Sequence, residues 1–138
     1  MHLSGQSIYE KMNDEKRRYQ RYSVDKEVLY VASRSSTKIA VVKNISIAGL
    51  AFEYLPVAAD ETDWTTVDVF ANTPSPFFLS SLKCKIIYDL PTLVEKRTFS
   101  GSPSRLCGLR YLKPTNEQNQ KLEFLFNSGI IDLEPEQR

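Results

Sequence analysis

The chain has 138 residues, 41% hydrophobic and 25% charged, with seven Phe, seven Tyr and one Trp, which suits one globular domain and is too short for two comfortable ones. A net charge of +1 gives no global pull on nucleic acid or a membrane surface, so any polyanion site must come from local clustering. The only histidine is His2, in a segment expected to fray, and no Asp or Glu stands in a catalytic motif, so triads and histidine acid–base chemistry are excluded and the chain does not read as an enzyme.

Residues 1–15 are polar, with Leu3, Ile8, Tyr9 and Met12 as apolar anchors, and read as a short marginal helix or an arm. The basic run Lys16-Arg17-Arg18-Tyr19-Gln20-Arg21 follows, and it contains Arg-x-x-x-Arg at Arg17 and Arg21. From Tyr22 the pattern turns to strand. Val24 and Val28 to Val31 lead to the turn Ser33-Arg34-Ser35-Ser36, and Ile39 to Val42 return as the second arm of a hairpin. Asn44-Ile45-Ser46-Ile47-Ala48-Gly49 then gives Asn-x-Ser-x-x-Gly, beginning 23 residues after Arg21.

Leu50, Phe52 and Tyr54 alternate onto one face before Pro56 ends that strand. Trp64, after an acidic loop, reads as an aromatic capping one end of the fold. Thr66–Ala71 and Phe77–Leu90 are further strands around the turn Asn72–Pro76, with Cys84, Ile86, Tyr88 and Leu90 expected on one face. Residues 91–104 should form an exposed loop, with some strand character between Thr92 and Phe99. Arg105–Leu112 returns as a strand whose Gly108 suggests a bulge or a close backbone approach. Thr115 with Gln118 forms a capping box for a helix bearing Leu122, Leu125 and Phe126, and Gly129 is placed to end it. Asp132–Glu136 reads as a solvated tail.

Short strands followed by one helix, without βαβ alternation, predict a mainly β protein: an antiparallel barrel with a C-terminal α-helix packed against it. Two cysteines, Cys84 and Cys107, are too few for a disulfide framework or a zinc site. If 83–90 and 105–112 are arms of one hairpin, a bridge between them stays open; free thiols are the expectation. No apolar run reaches the length of a membrane span, and Met1–Gln6 lacks the regions of a signal peptide, which makes the cytoplasm the expected location.

Arginine's planar fork can be bidentate to guanine or phosphate, and its flat face can stack on a base. Asn44 and Ser46, two apart in an extended segment, would aim an amide and a hydroxyl at one ligand, and Gly49 would allow positive φ and close approach. Each half alone is weak, since a basic run is commonly a solvated arm and a polar turn commonly only a turn. Together, in this order and β context, they resemble the PilZ domain, the bacterial receptor module for cyclic di-GMP. The resemblance spans residues 16–128, leaving 1–15 as an N-terminal arm and 129–138 as a C-terminal tail.

It implies a six-stranded antiparallel barrel with a C-terminal helix. It implies a cyclic di-GMP site in which Arg17 and Arg21 bind guanine and phosphate, Asn44, Ser46 and Gly49 form the barrel-side contact, and Lys16 and Arg18 add phosphate contacts. It calls for no cofactor and no metal. The implied function is a second-messenger receptor that changes conformation and signals to a downstream protein, without inserting in a membrane. The alternatives are a small barrel binding single-stranded nucleic acid, which the near-neutral charge opposes, and a nucleotide-independent protein adaptor.

Overall fold

The structure, a computed structural model, describes residues 19–35, 38–56, 63–92 and 104–136. Its strands are β1 (Tyr22–Ser23), β2 (Leu29–Ser33), β3 (Ile39–Ile45), β4 (Gly49–Tyr54), β5 (Thr66–Ala71), β6 (Phe77–Pro91), β7 (Arg105–Tyr111) and β8 (Glu134–Pro135), with helix α1 (Asn116–Ser128) between β7 and β8. Neighbours run antiparallel in the order β2-β5-β6-β7-β4-β3, and β3 pairs back onto β2, closing a six-stranded barrel. Closure leaves those six strands without an open edge. The mainly β fold read from the sequence is therefore the one observed.

Alternation fills the interior. Leu29, Val31, Val42, Ile45, Phe52, Val67, Val69, Leu79, Leu82 and Cys107 are fully buried, each large side chain adding about 1.5–3 kcal/mol of burial free energy. Trp64 is also buried, with its ring 4.5 Å from that of Phe52. Cys84 and Cys107 are buried free thiols on adjacent strands, and burial pushes both up to about 12.

Two irregularities in β6 shape the rest. Val67 faces Leu82 and Val69 faces Leu79, so β6 has an extra residue around Ser81, which takes φ 57° and donates its N–H to Asp68 at 2.9 Å. Helix α1 docks on this kink. Thr115 and Gln118 form the expected capping box, and the Gln118 amide also donates to the carbonyls of Ser80 and Ser81 at 3.1 and 3.2 Å. Leu122 and Leu125 then enter the core, and Phe126 stacks on Tyr22 with centroids 5.1 Å apart. Gly129 ends the helix in the left-handed region.

The second irregularity corrects the expected face of β6. The register shifts between Ile86 and Tyr88, inserting Ile87. Cys84 points inward, whereas Tyr88 and Leu90, beyond the insertion, are 36% and 54% exposed. One inserted residue moves everything beyond it to the other side of the sheet.

The tail also differs from expectation. Ile131 is buried in the core, Leu133 packs against it, and Glu134–Pro135 pair with β1 as β8. The turn after Ser33 is described only through Ser35, and the loop expected over 91–104 lies outside the described residues from 93 to 103.

Candidate functional site

The Asn44–Gly49 segment runs from the end of β3 through the turn into β4, and Ser46 holds that turn together. The Ser46 N–H donates to the Gly49 carbonyl at 2.8 Å, while its hydroxyl accepts from the N–H groups of Ala48 and Gly49 at 3.0 and 3.2 Å. β7 braces the turn from below: the Tyr111 N–H donates to Ala48 O at 3.0 Å and its phenol to Ser46 O at 3.2 Å. Burial holds that phenol protonated, so it remains a donor. Ser46 is itself buried, so its hydroxyl serves the turn and does not project beside Asn44.

Gly49 has a different reason from the positive φ expected of it; among the described glycines only Gly129 has one. A side chain at Gly49 would overlap the carbonyl oxygen of Leu109 on β7, so the glycine is what lets β4 and β7 close up at this end. Asn44 lies just before the turn, opposite Ala51, beyond a bulge at Lys43. Its neighbours Val42 and Ile45 point into the core, which leaves the Asn44 amide on the outer face.

Strand β1 carries the end of the basic run to this face. Tyr22 pairs with Ile45 and Ser23 with Asn44, and the Val24 N–H donates to Lys43 O at 2.9 Å. Arg21, two residues before Ser23, shares its side of the strand. Arg17, Lys16 and Arg18 lie outside the described residues.

The register continues across the barrel as one outer row. Ser23 faces Asn44, Asn44 faces Ala51, Ala51 faces Gly108, and Gly108 faces Tyr88. Gly108 has the close approach expected of it, and its partner is the Tyr88 ring, which any side chain at 108 would overlap. Ala51 is only 2% exposed although it belongs to no part of the core cluster, so it is covered from outside.

Burial raises the Tyr88 phenol and the Arg21 guanidinium opposes that rise, so the charge acts across the row on the ring. Glu136 stands at the same place: its N–H donates to Arg21 O at 2.9 Å, and Ser23 Oγ donates to its Oε2 at 3.3 Å. Among the described residues, none hydrogen-bonds the Arg21 guanidinium.

One register step towards the β3–β4 turn, Gly49 faces Arg110 and Arg110 faces Lys85, both exposed cations. In the opposite direction an open cleft of about 280 Å³ is lined by Glu27, Lys43, Glu53, Tyr54 and Ser104, among others. Glu53 accepts from Ser104 at 2.7 Å and lies 4.0 Å from Lys43. Two carboxylates in that cleft make it a poor seat for an anion, whereas Arg21, Arg110 and Lys85 surround the Asn44–Tyr88 row with positive charge. Among the described residues no group of three or more His, Cys, Asp or Glu is placed to hold a metal ion, and no helix is long and apolar enough to cross a membrane.

Among solved structures, this chain is similar to the PilZ domain, with c-di-GMP, of YcgR from Escherichia coli: 13% identity and a TM-score of 0.56 over 82% of this chain and 90% of that one. The chain has the PilZ-domain fold. It is similar also to the structure of E. coli YcgR in complex with c-di-GMP, at 15% identity and a TM-score of 0.56, covering 82% of this chain and 45% of that chain. No protein-family model matches the sequence, and no curated protein matches it significantly.

On this PilZ fold the sequence singled out Arg21, Asn44, Ser46 and Gly49, and the structure brings Arg21 and Asn44 to one face while assigning Ser46 and Gly49 to the turn beside it. Sequence reasoning passed over Tyr88, Lys85, Arg110 and Glu136 on or beside that face. The available signal was Gly108: a glycine inside a strand asks what lies against it, and the answer is an aromatic on the next strand.

Proposed function

We propose that this protein is a cytoplasmic receptor for cyclic di-GMP that binds it without chemical turnover and passes the signal to a downstream protein. The observation that carries the reading is the pairing of Ser23 with Asn44, which holds the end of the Arg-x-x-x-Arg run against the barrel face bearing the Asn-x-Ser-x-x-Gly turn. An arginine whose guanidinium has no hydrogen-bond partner among the described residues, beside a partly exposed amide, suits a ligand that presents both phosphate and a guanine edge. The similar YcgR structures contain c-di-GMP, which supports the same ligand here.

In this mechanism the 16–21 run closes over the outer face when ligand bridges Arg17 and Arg21 to Asn44, and the closed run presents a new surface to the partner. Ser46 and Gly49 contribute by fixing the turn, so that the Asn44 amide is presented before ligand arrives.

Calorimetric titration of the full chain with cyclic di-GMP, with cyclic di-AMP, GTP and a single-stranded oligonucleotide as controls, tests the reading at two salt concentrations. Saturable, guanine-selective heat is expected. Arg21→Ala should weaken binding by roughly 10- to 100-fold, the range for a charge-assisted hydrogen bond, without changing the melting temperature. Absence of heat from folded wild-type protein would discard the receptor reading, and salt-sensitive binding of the oligonucleotide would replace it.

A further inference from the structure

Strand β8 holds the C-terminal segment on the barrel by only two ladder pairs, Tyr22 with Pro135 and Ser23 with Glu134. Up to Leu133 the chain is anchored, since Ile131 is buried and Leu133 packs against the core. Beyond it the contacts are polar and few. The Glu136 N–H donates to Arg21 O at 2.9 Å, Ser23 Oγ donates to Glu136 Oε2 at 3.3 Å, and the Gln20 amide donates to Glu136 O at 3.5 Å, while Glu134 and Pro135 are exposed. A segment held in this way opens at low free-energy cost, because almost no buried apolar contact is lost.

What it brings to the ligand face is negative charge. The register sets Glu134 opposite Ser23 and, one backbone hydrogen bond further on, Glu136 opposite Arg21. Residues opposite one another, and residues two apart, share a side of a sheet, so both carboxylates stand on the outer side with Arg21, Ser23 and Asn44. The face is already covered in this state: Ala51, between Asn44 and Gly108 on the outer row, is 2% exposed. Burial raises the Tyr88 phenol, Arg21 opposes that rise and Glu136 adds to it, so the charge at the tip of the segment acts as far as the other side of the row. A cyclic dinucleotide carries two phosphates, and here two carboxylates stand two residues apart beside the arginine that would receive them.

We propose that residues 134–136 are a self-inhibitory strap: Glu134 and Glu136 hold the place of the ligand's phosphates beside Arg21, and cyclic di-GMP binds by displacing the segment from β1. This rests on the cyclic dinucleotide reading and deepens it with a competitor built into the same chain. Strap and ligand exclude each other, so the ligand-free protein covers the edge of β1 and the liganded protein exposes it for a partner to pair with.

The test titrates the full chain and its variants Glu136→Gln and Glu136→Pro with cyclic di-GMP, and follows solvent exchange of the wild-type Glu136 amide by NMR. Glutamine removes only the charge, whereas proline also removes the N–H that bonds Arg21 O. Glu136→Pro is expected to bind roughly 5- to 30-fold more tightly than wild type, and more tightly than Glu136→Gln, because molecules held closed no longer subtract from those able to bind. In the wild type, saturating cyclic di-GMP should speed exchange of the Glu136 amide by roughly fivefold or more, which a tail that merely carries charge would not show.

Equal affinities in Glu136→Pro and Glu136→Gln would overturn the strap, leaving a simple charge effect and an intact receptor reading. A Glu136 amide that exchanges no faster in the complex would overturn it as well. If Glu136→Pro does not fold, the wild-type exchange decides. Binding by Glu136→Pro where wild type binds nothing would support the strap, whereas no binding by wild type or either variant would remove the receptor reading and the strap together.

Discussion

The two faces of the sheet β1-β3-β4-β7-β6 are built from the same strands and obey different rules. Inside, Ile45, Leu50 and Leu109 make a row of apolar side chains; one position over, on the outside, Ser23, Asn44, Ala51 and Gly108 make a row of small and polar ones. The inner row is fixed by volume, since close-packed cores tolerate neither voids nor additions. The outer row is fixed by what lies over it: Gly108 leaves room for the Tyr88 ring, and Ala51 is only 2% exposed. The contrast predicts that substitutions inside lower stability and substitutions outside change binding, and it can be broken at either face.

The largest effect belongs inside. Phe52 is fully buried and its ring meets both Trp64 at 4.5 Å and Tyr54 at 5.9 Å. Phe52→Ala should cost about 3–5 kcal/mol, from lost transfer free energy and an unfilled cavity. Urea unfolding gives the value, and a loss below about 1 kcal/mol would mean that this aromatic cluster is not the packed core described.

Next comes an outer-face change with its effect on binding. The Glu136 carboxylate stands beside Arg21 and Ser23, so an incoming phosphate meets a negative charge already in place. Glu136→Gln keeps a side-chain oxygen near Ser23 and removes the charge, so affinity for cyclic di-GMP should rise by roughly 2- to 5-fold at low salt and by less at high salt, as for partly screened charges. Weaker binding in this variant would show that Glu136 supports the ligand and does not compete with it.

These faces were unequally legible in the sequence. The inner face was read well because alternation is a local signal: Leu50, Phe52 and Tyr54 needed no knowledge of their partners. Arg21 and Asn44 were legible as chemistry, since the residue types announce the groups they can bind. Ser46 was visible as a polar turn residue, but whether its hydroxyl serves the turn or faces outward depends on backbone geometry that no spacing reveals. Gly49 was noticed for φ and needed for the Leu109 carbonyl on a strand 60 residues away in sequence. Tyr88 was assigned to the wrong face because a single bulge residue leaves no compositional mark. The docking of Glu134–Pro135 on β1 was equally hidden, since two paired residues in a polar segment carry no periodicity.

The smallest expected effect tests the corrected face of β6. Leu90 was expected to share a face with Cys84, yet it lies 54% exposed, opposite Leu106 on the outer side. Leu90→Thr removes apolar bulk while introducing a β-branched side chain suited to a strand. If the bulge at Ile87 turns this end of β6 outward, the substitution should change stability by no more than about 0.5 kcal/mol, against several for Phe52→Ala in the same assay. A loss above about 2 kcal/mol would place Leu90 under cover, and the far end of the outer face would then belong to the packed structure and not to the open surface around Tyr88.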